Sequence, residues 1–373
     1  MKYYVLWQIN SPLLAKYREK YYLKLIEDLK AITFLPFART SARNALNSDT
    51  VSNLLKMPHR EFILSGDISS LIYHIAYHGV QNTGNAIRSL WLQLEHFVEH
   101  KTMKVIQDQW IEIMGTSIKL TLADLNPYSW FESHPDHEKT GGILGWWEKN
   151  QTQWWEVYSR TFELLKTIDR GIYDELNTMI DKIIPLGTSV NIHNSASYKE
   201  CIGHLYMGYT LESDFPEINI LEALIHESSH NKINLLMHFD PLILNDFSEK
   251  YYSPYRPDAR HIHGCFLGLH AFVPTMYVCL KAYKNGLLWK NNHWLQKFVL
   301  YTLKNKICLR VIQKHAKLTH MWQEVVDEIQ QVMEMTQLLM KQIWVSKQLL
   351  LQVNAQVKEH FYQVNQKYRE LEY

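Results

Sequence analysis

Residues 221–239, LEALIHESSHNKINLLMHF, carry the reading on which the fold turns. Apolar side chains recur here at helical spacing, so the segment reads as an α-helix. On that helix His226 and His230 stand at i and i+4, and both imidazoles project from one face, where they can share a metal ion. Glu227, one residue along, is turned from the metal axis yet stays close to a metal-bound water. Two donors do not make a site. A structural zinc centre takes four, and a catalytic one takes three with an open position.

Upstream, DFPEINI (214–220) offers Asp214 or Asn219 as the cap of this helix. Before it, residues 188–210, TSVNIHNSASYKECIGHLYMGYT, hold two short extended runs about a polar break. A sheet followed by a metal helix resembles the order of zincin-like metalloproteins. The strand-like IGHLYMGYT (202–210) is of a kind that can pair with an extended peptide. Downstream, residues 240–260 read as a loop marked by Pro241, Pro254 and Pro257. A second histidine-rich element follows in RHIHGCFLGLHAFVPT (260–275).

The third donor comes from that element. His270 is the first choice because it lies in FLGLHAF, where an unpaired imidazole is costly. His263, two helical turns before it, is the second choice or an orienting group. His261 ranks third. The pair His74 and His78 is also spaced i,i+4, but no Glu lies between them and no donor cluster is near. His134 and His137 fall in loop sequence, and His315 and His320 are assigned no role. Ser228 and Asn231 are candidates for polar contacts only.

The combined pattern of H-E-x-x-H, then R-P-D-x-R at 256–260, then G-x-H-A-F at 268–272 resembles the HExxH proteins of ribosomal peptide natural-product pathways. More closely it resembles their 2-oxoglutarate-dependent peptide β-hydroxylases, over about residues 203–274. That resemblance implies non-haem Fe(II), with 2-oxoglutarate and O₂ as co-substrates and a precursor peptide as substrate. It implies hydroxylation of a side-chain β-carbon. A facial set of three protein donors leaves room for a bidentate oxo-acid and O₂. The set expected is His226, His230 and His270, although three histidines suit Zn(II) as well. The distal carboxylate of the oxo-acid calls for a guanidinium fork. Arg260 is the first candidate and Arg256 the second, with Asp258 the partner if either only braces the turn. Two other readings stay open. A zinc peptidase would use Glu227 as general base, with Tyr251, Tyr252 or Tyr255 polarising the carbonyl. A non-enzymatic helical protein would bind its partner through the C-terminal helices.

The rest of the chain bounds these readings. Its 373 residues, with 39 Lys and Arg against 38 Asp and Glu, give a net charge of +1. Nothing in that balance calls for nucleic acid or an anionic membrane. Cys201, Cys265, Cys279 and Cys308 form no C-x-x-C pair, which speaks against a thiolate zinc site. The start MKYYVLWQINSPLLAKYREK lacks a signal-peptide pattern, and no run of about 18 uncharged apolar residues occurs. The expectation is a cytoplasmic protein.

The expected fold is mainly α with a small β-sheet, a zincin-like metal helix beside that sheet, and long C-terminal helices. Helical spacing is expected at 11–30, 86–100 and 146–183, a loop at 126–145, and a β-hairpin about Gly115 in WIEIMGTSIKLTL (110–122). After Pro274 no proline recurs, and only Gly286 breaks the helical pattern. Met333, Met335 and Met340 read as packing residues. The expected division is 1–185, a metal-site core at 186–275, and 276–373. The last of these leaves a homodimer open.

Overall fold

The computed structural model describes residues 16–21, 23–25, 27, 110–121, 143–188, 195–199, 201–209, 216–287 and 292–367. The protein is mainly helical with a small mixed sheet. The elements run β1 (Trp110–Glu112), β2 (Lys119–Thr121), α1 (Ile143–Ile168), α2 (Arg170–Met179), β3 (Lys182–Thr188), β4 (Ser195–Ala196) and β5 (His204–Tyr209). After these come α3 (Pro216–Met237), α4 (Ile262–Lys284), α5 (Asn292–His315), α6 (His320–Lys341) and α7 (Lys347–Lys367). The segments 86–100 and 126–142, with His74, His78, His134 and His137, lie outside the described residues.

Two compact units interleave along the chain, one holding Arg160–Glu175 and Glu217–Tyr373, the other Ser11–Ser159 and Leu176–Pro216. This division differs from the three consecutive parts expected. The HExxH segment and the C-terminal helices fall in one unit, and all five strands fall in the other.

In the strand-bearing unit the order is β1-β2-β3-β5-β4. The expected hairpin is present: β1 pairs antiparallel with β2, and Gly115 takes φ 78° in the turn, a conformation that suits glycine. β3 runs parallel to both β2 and β5, and Pro185 sits where its register with β5 shifts. Proline has no N–H for a ladder, so it is tolerated in an inner strand at such an irregularity. β5 is flanked by β3 and β4, so the peptide-pairing edge expected at residues 202–210 is already taken over Tyr206 and Met207 by β4. The helix expected to run to Ile183 stops at Met179, and Lys182 opens β3. Gly203, at φ 95°, is fixed by the Asp181 carboxylate, into which a Cβ would run, and Arg18 holds that carboxylate at 2.7 Å.

In the helical unit α3 opens on Pro216, a residue preorganised for the first helical position. Asn219 therefore lies inside the helix rather than capping it, and Asp214 falls outside the described residues. α4 packs against α5 and α6, and α5 packs against α7. Buried Trp322, Val325, Val326, Ile329, Val332, Met333 and Thr336 line α6 at near-heptad spacing. Met333 joins that seam, whereas Met335 does not. Among the described residues α4 alone is long and apolar enough to cross a membrane, and 78% of its apolar window is buried within the protein. It is a core helix.

Candidate metal centre

α3 is not an amphipathic surface helix. Alongside its apolar residues it buries Glu227, Ser228, Ser229, Asn231, Lys232 and Asn234. Polar side chains so placed carry a desolvation cost unless they are partnered. Ser228 and Ser229 donate to the Ile225 carbonyl at 3.1 and 2.7 Å, so Ser228 is engaged with its own helix. Lys232 meets Glu175 at 2.5 Å, both well buried.

His226 and His230 come together as their spacing requires. Their Nε2 atoms are 3.0 Å apart and their rings cross at 83°. Burial pushes His230 down to about 4, so at neutral pH its ring is uncharged and has a lone pair to give. Glu227, 4% exposed, lies between them in sequence. Two neutral-capable imidazoles with converging Nε2 atoms fit two donors of a first-row metal ion.

The remaining donors are less completely gathered. Where α4 meets α3, His263 Nε2 lies 3.2 Å from Met237 Sδ, and the Phe272 ring lies 4.6 Å from that of His226. Those two contacts run in opposite senses along the two helices, so α4 is antiparallel to α3, and His270 comes level with the HExxH turn. His270 is 1% exposed. It is nevertheless Phe272, two residues and about 200° farther around the helix, that α4 offers to His226. Among the described residues no group of three His, Cys, Asp or Glu closes into a metal-binding set. His261 is engaged elsewhere. It caps α4, its Nδ1 accepting from the His263 N–H at 3.1 Å, and it stacks on Phe247 at 4.1 Å.

The arginines and tyrosines of the proline-rich turn are placed with equal clarity. Arg260 Nε is 2.8 Å from Asp258 Oδ2, and the Arg260 backbone pairs with Tyr251 in an antiparallel bridge. Arg256 is exposed. The Tyr251 hydroxyl donates to Glu249, Tyr252 shares a 2.8 Å hydrogen bond with His360 Nδ1, and Tyr255 donates to Asn305 Oδ1 at 2.6 Å. All three hydroxyls offered by the sequence as carbonyl polarisers are thus engaged with other partners. Burial also holds the Tyr255 phenol well above its usual range.

Several groups around the pair escaped the sequence reading. Glu222, one turn before His226, is ion-paired with Lys297 of α5, and burial raises its carboxyl pKa against the pull of that lysine. Phe272 contacts the rings of both Tyr255 (4.7 Å) and Tyr301 (4.6 Å), which joins α5 to the wall beside His226. The i,i+4 step from Glu222 to His226 was visible in sequence. Nothing in the sequence tells that the Lys297–Tyr301–Lys304 stripe of α5 faces it. No family model matches the chain, and no curated protein matches it.

Proposed function

We propose that α3 carries a zincin-like HExxH metal centre and that the chain is a non-haem Fe(II)- and 2-oxoglutarate-dependent hydroxylase acting on a β-carbon of a ribosomally made precursor peptide. The observation that carries the metal assignment is the 3.0 Å approach of His226 Nε2 to His230 Nε2 on a largely buried helix. The choice of oxygenase rests on the sequence resemblance over residues 203–274. The commitment of the Tyr251, Tyr252 and Tyr255 hydroxyls to other partners also favours it over a peptidase.

In this reading His226 and His230 bind the ion through Nε2, and His270, level with them on α4 but about 200° around it from Phe272, completes the set only when α4 turns on its axis. An Fe(II) centre would supply the activation of O₂ at the expense of the oxo-acid. This chain's residues do the rest. Phe272, Tyr255 and Tyr301 form an aromatic wall beside His226. Glu227 holds polar contacts at the metal turn and takes no obligatory proton.

Anaerobic reconstitution with Fe(II), followed by titration with 2-oxoglutarate under visible absorption, tests this reading. A weak metal-to-ligand charge-transfer band, absent in His226→Ala, is the expected result. Stoichiometric zinc with no such band, and peptide cleavage lost on Glu227→Gln, would replace the hydroxylase with a zinc peptidase.

A further inference from the structure

Within the helical unit, the end where α6 turns into α7 has a surface of its own. Ten large apolar side chains stand exposed among the described residues, and four of them, Leu338, Trp344, Leu350 and Leu351, fall within this one hairpin. Trp344, in the linker between the two helices, is 83% exposed, and Leu351, in the first turn of α7, is 62% exposed. Apolar residues scattered singly over a surface are ordinary, whereas a cluster rimmed by polar residues marks a place where something docks. The charge of this rim has one sign. No Asp or Glu occurs between Glu334 and Glu359, a stretch that carries Lys341, Lys347 and Lys358, and neither α4 nor α5 contains an acid. The net charge of +1 for the whole chain conceals this local excess. Lys341 and Lys347 are exposed and flank Trp344 at three residues on either side. Beside the hairpin a groove of about 270 Å³ opens between α5, α6 and α7. Leu303, Met340, Leu350 and Val353 give it an apolar lining, to which Lys306 and Lys341 add two ammonium groups.

We propose that the α6–α7 hairpin, with Trp344 between Lys341 and Lys347, docks the protein on an anionic lipid bilayer. Charge decides among the occupants. Across a two-fold axis the hairpin of a second copy would set Lys341 and Lys347 against the same lysines, with no acid of the hairpin to pair them. A bilayer of anionic lipid suits every component. The indole takes the headgroup level and the leucines the acyl boundary, while the lysine stems lie along apolar surface and their ammonium groups reach lipid phosphates. The hairpin shares no residue with the His226–His230 pair, so the docking does not depend on the metal chemistry.

Flotation of the full chain with vesicles of phosphatidylcholine, with and without phosphatidylglycerol, tests this. The wild type should float with the anionic vesicles and not with the neutral ones, and added salt should release it. Trp344→Ser should weaken the partition about tenfold. A lysine near such a surface is worth roughly fivefold, so Lys341→Gln combined with Lys347→Gln should cost about 25-fold. These side chains are exposed, and melting temperature should not change in either variant. Leu244→Ser is the control. Leu244 is 59% exposed but lies at the other end of α6, where its N–H meets the Lys317 carbonyl, and its loss should leave flotation unchanged. Lipid with brominated acyl chains should quench part of the tryptophan fluorescence, and that part should vanish in Trp344→Phe. Failure of the wild type to float with anionic vesicles, equal flotation with neutral ones, or flotation unchanged in both hairpin variants would overturn the proposal. A dimer in light scattering that Trp344→Ser dissociates, without vesicle binding, would make the hairpin an interface between copies. Binding to polyglutamate but not to vesicles would give the face to an acidic polypeptide instead.

Discussion

Gly268→Ala tests the packing that shapes the wall beside His226. Alanine is favoured over glycine inside a helix by about 1 kcal/mol, so at an open site on α4 the substitution would stabilise. Position 268 is not open: an added Cβ would stand 2.8 Å from Tyr255 Cδ2 and 3.2 Å from Cε2. Carbon atoms in good contact lie about 3.5–4.0 Å apart, so the ring must retreat by roughly 1 Å. It has little freedom to do so. Its hydroxyl is bonded to Asn305 at 2.6 Å, and its face rests on Phe272. Overpacking of this kind costs about 1–3 kcal/mol, and weakening the Asn305 bond adds up to about 1. After the helix-propensity gain, the expected net loss is about 1–2 kcal/mol, read as a lower urea midpoint at unchanged m-value. The same substitution in a Tyr255→Ala background should stabilise by about 1 kcal/mol, because the obstructing ring is gone. A Gly268→Ala protein more stable than the parent would refute the packing argument.

The remaining predictions concern the ions and the pair. His226→Ala and His230→Ala should each abolish retention of a stoichiometric metal through gel filtration, measured by elemental analysis. His270→Ala should reduce it severely, and full iron loading of that variant would remove His270 from the donor set. Lys232→Met should cost about 3–5 kcal/mol, because it strands the Glu175 carboxylate in the interior, whereas Lys232→Met with Glu175→Leu should recover most of that in chemical denaturation. Metal-free protein should lose stability as pH falls from about 6.5 to about 4. An unfolded histidine takes up its proton near 6.5, and native His230 resists it until about 4. The shift corresponds to roughly 3 kcal/mol, lost from the native state across that window and fully present above it. His360, also lowered by burial, acts in the same direction. A flat stability profile between pH 6.5 and 4 for the wild type, matched by His230→Gln, would contradict the burial of that ring.

What the sequence made legible was what local spacing controls. The i,i+4 step of His226 and His230 has only one outcome on a helix, and Gly115 between alternating apolar residues closes β1 onto β2. The proline-rich loop at 240–260 and the break at Gly286 follow from breakers, whereas the breaks at 316–319 and 342–346 hold no glycine or proline and were not legible. Less legible were the choices settled by pairing over long range. Ile180 to Ile183 suits a helix or a strand, and a parallel partner, β5, decides for the strand by burying Ile183 and Ile184. Arg260 looked like an anion anchor because it stands beside His261 and His263. Its backbone bridge to Tyr251 and its ion pair with Asp258 appear only once the turn is folded.

The same logic separates the lysines of α5. In sequence Lys297 and Lys304 are two of several cations on one helix. The fold gives each a different environment: Lys297 meets Glu222, while Lys304 lies over the Tyr301 ring. The partner that a charged helix residue finds is a property of the packed unit, and spacing along the chain does not supply it. A site built this way places two histidines by short-range periodicity and its third donor by tertiary packing. Transplanting HESSH onto another buried helix should therefore bring the two imidazoles together without retaining a stoichiometric metal. Stoichiometric metal in such a transplant, with no third donor beside it, would show that the motif alone is sufficient.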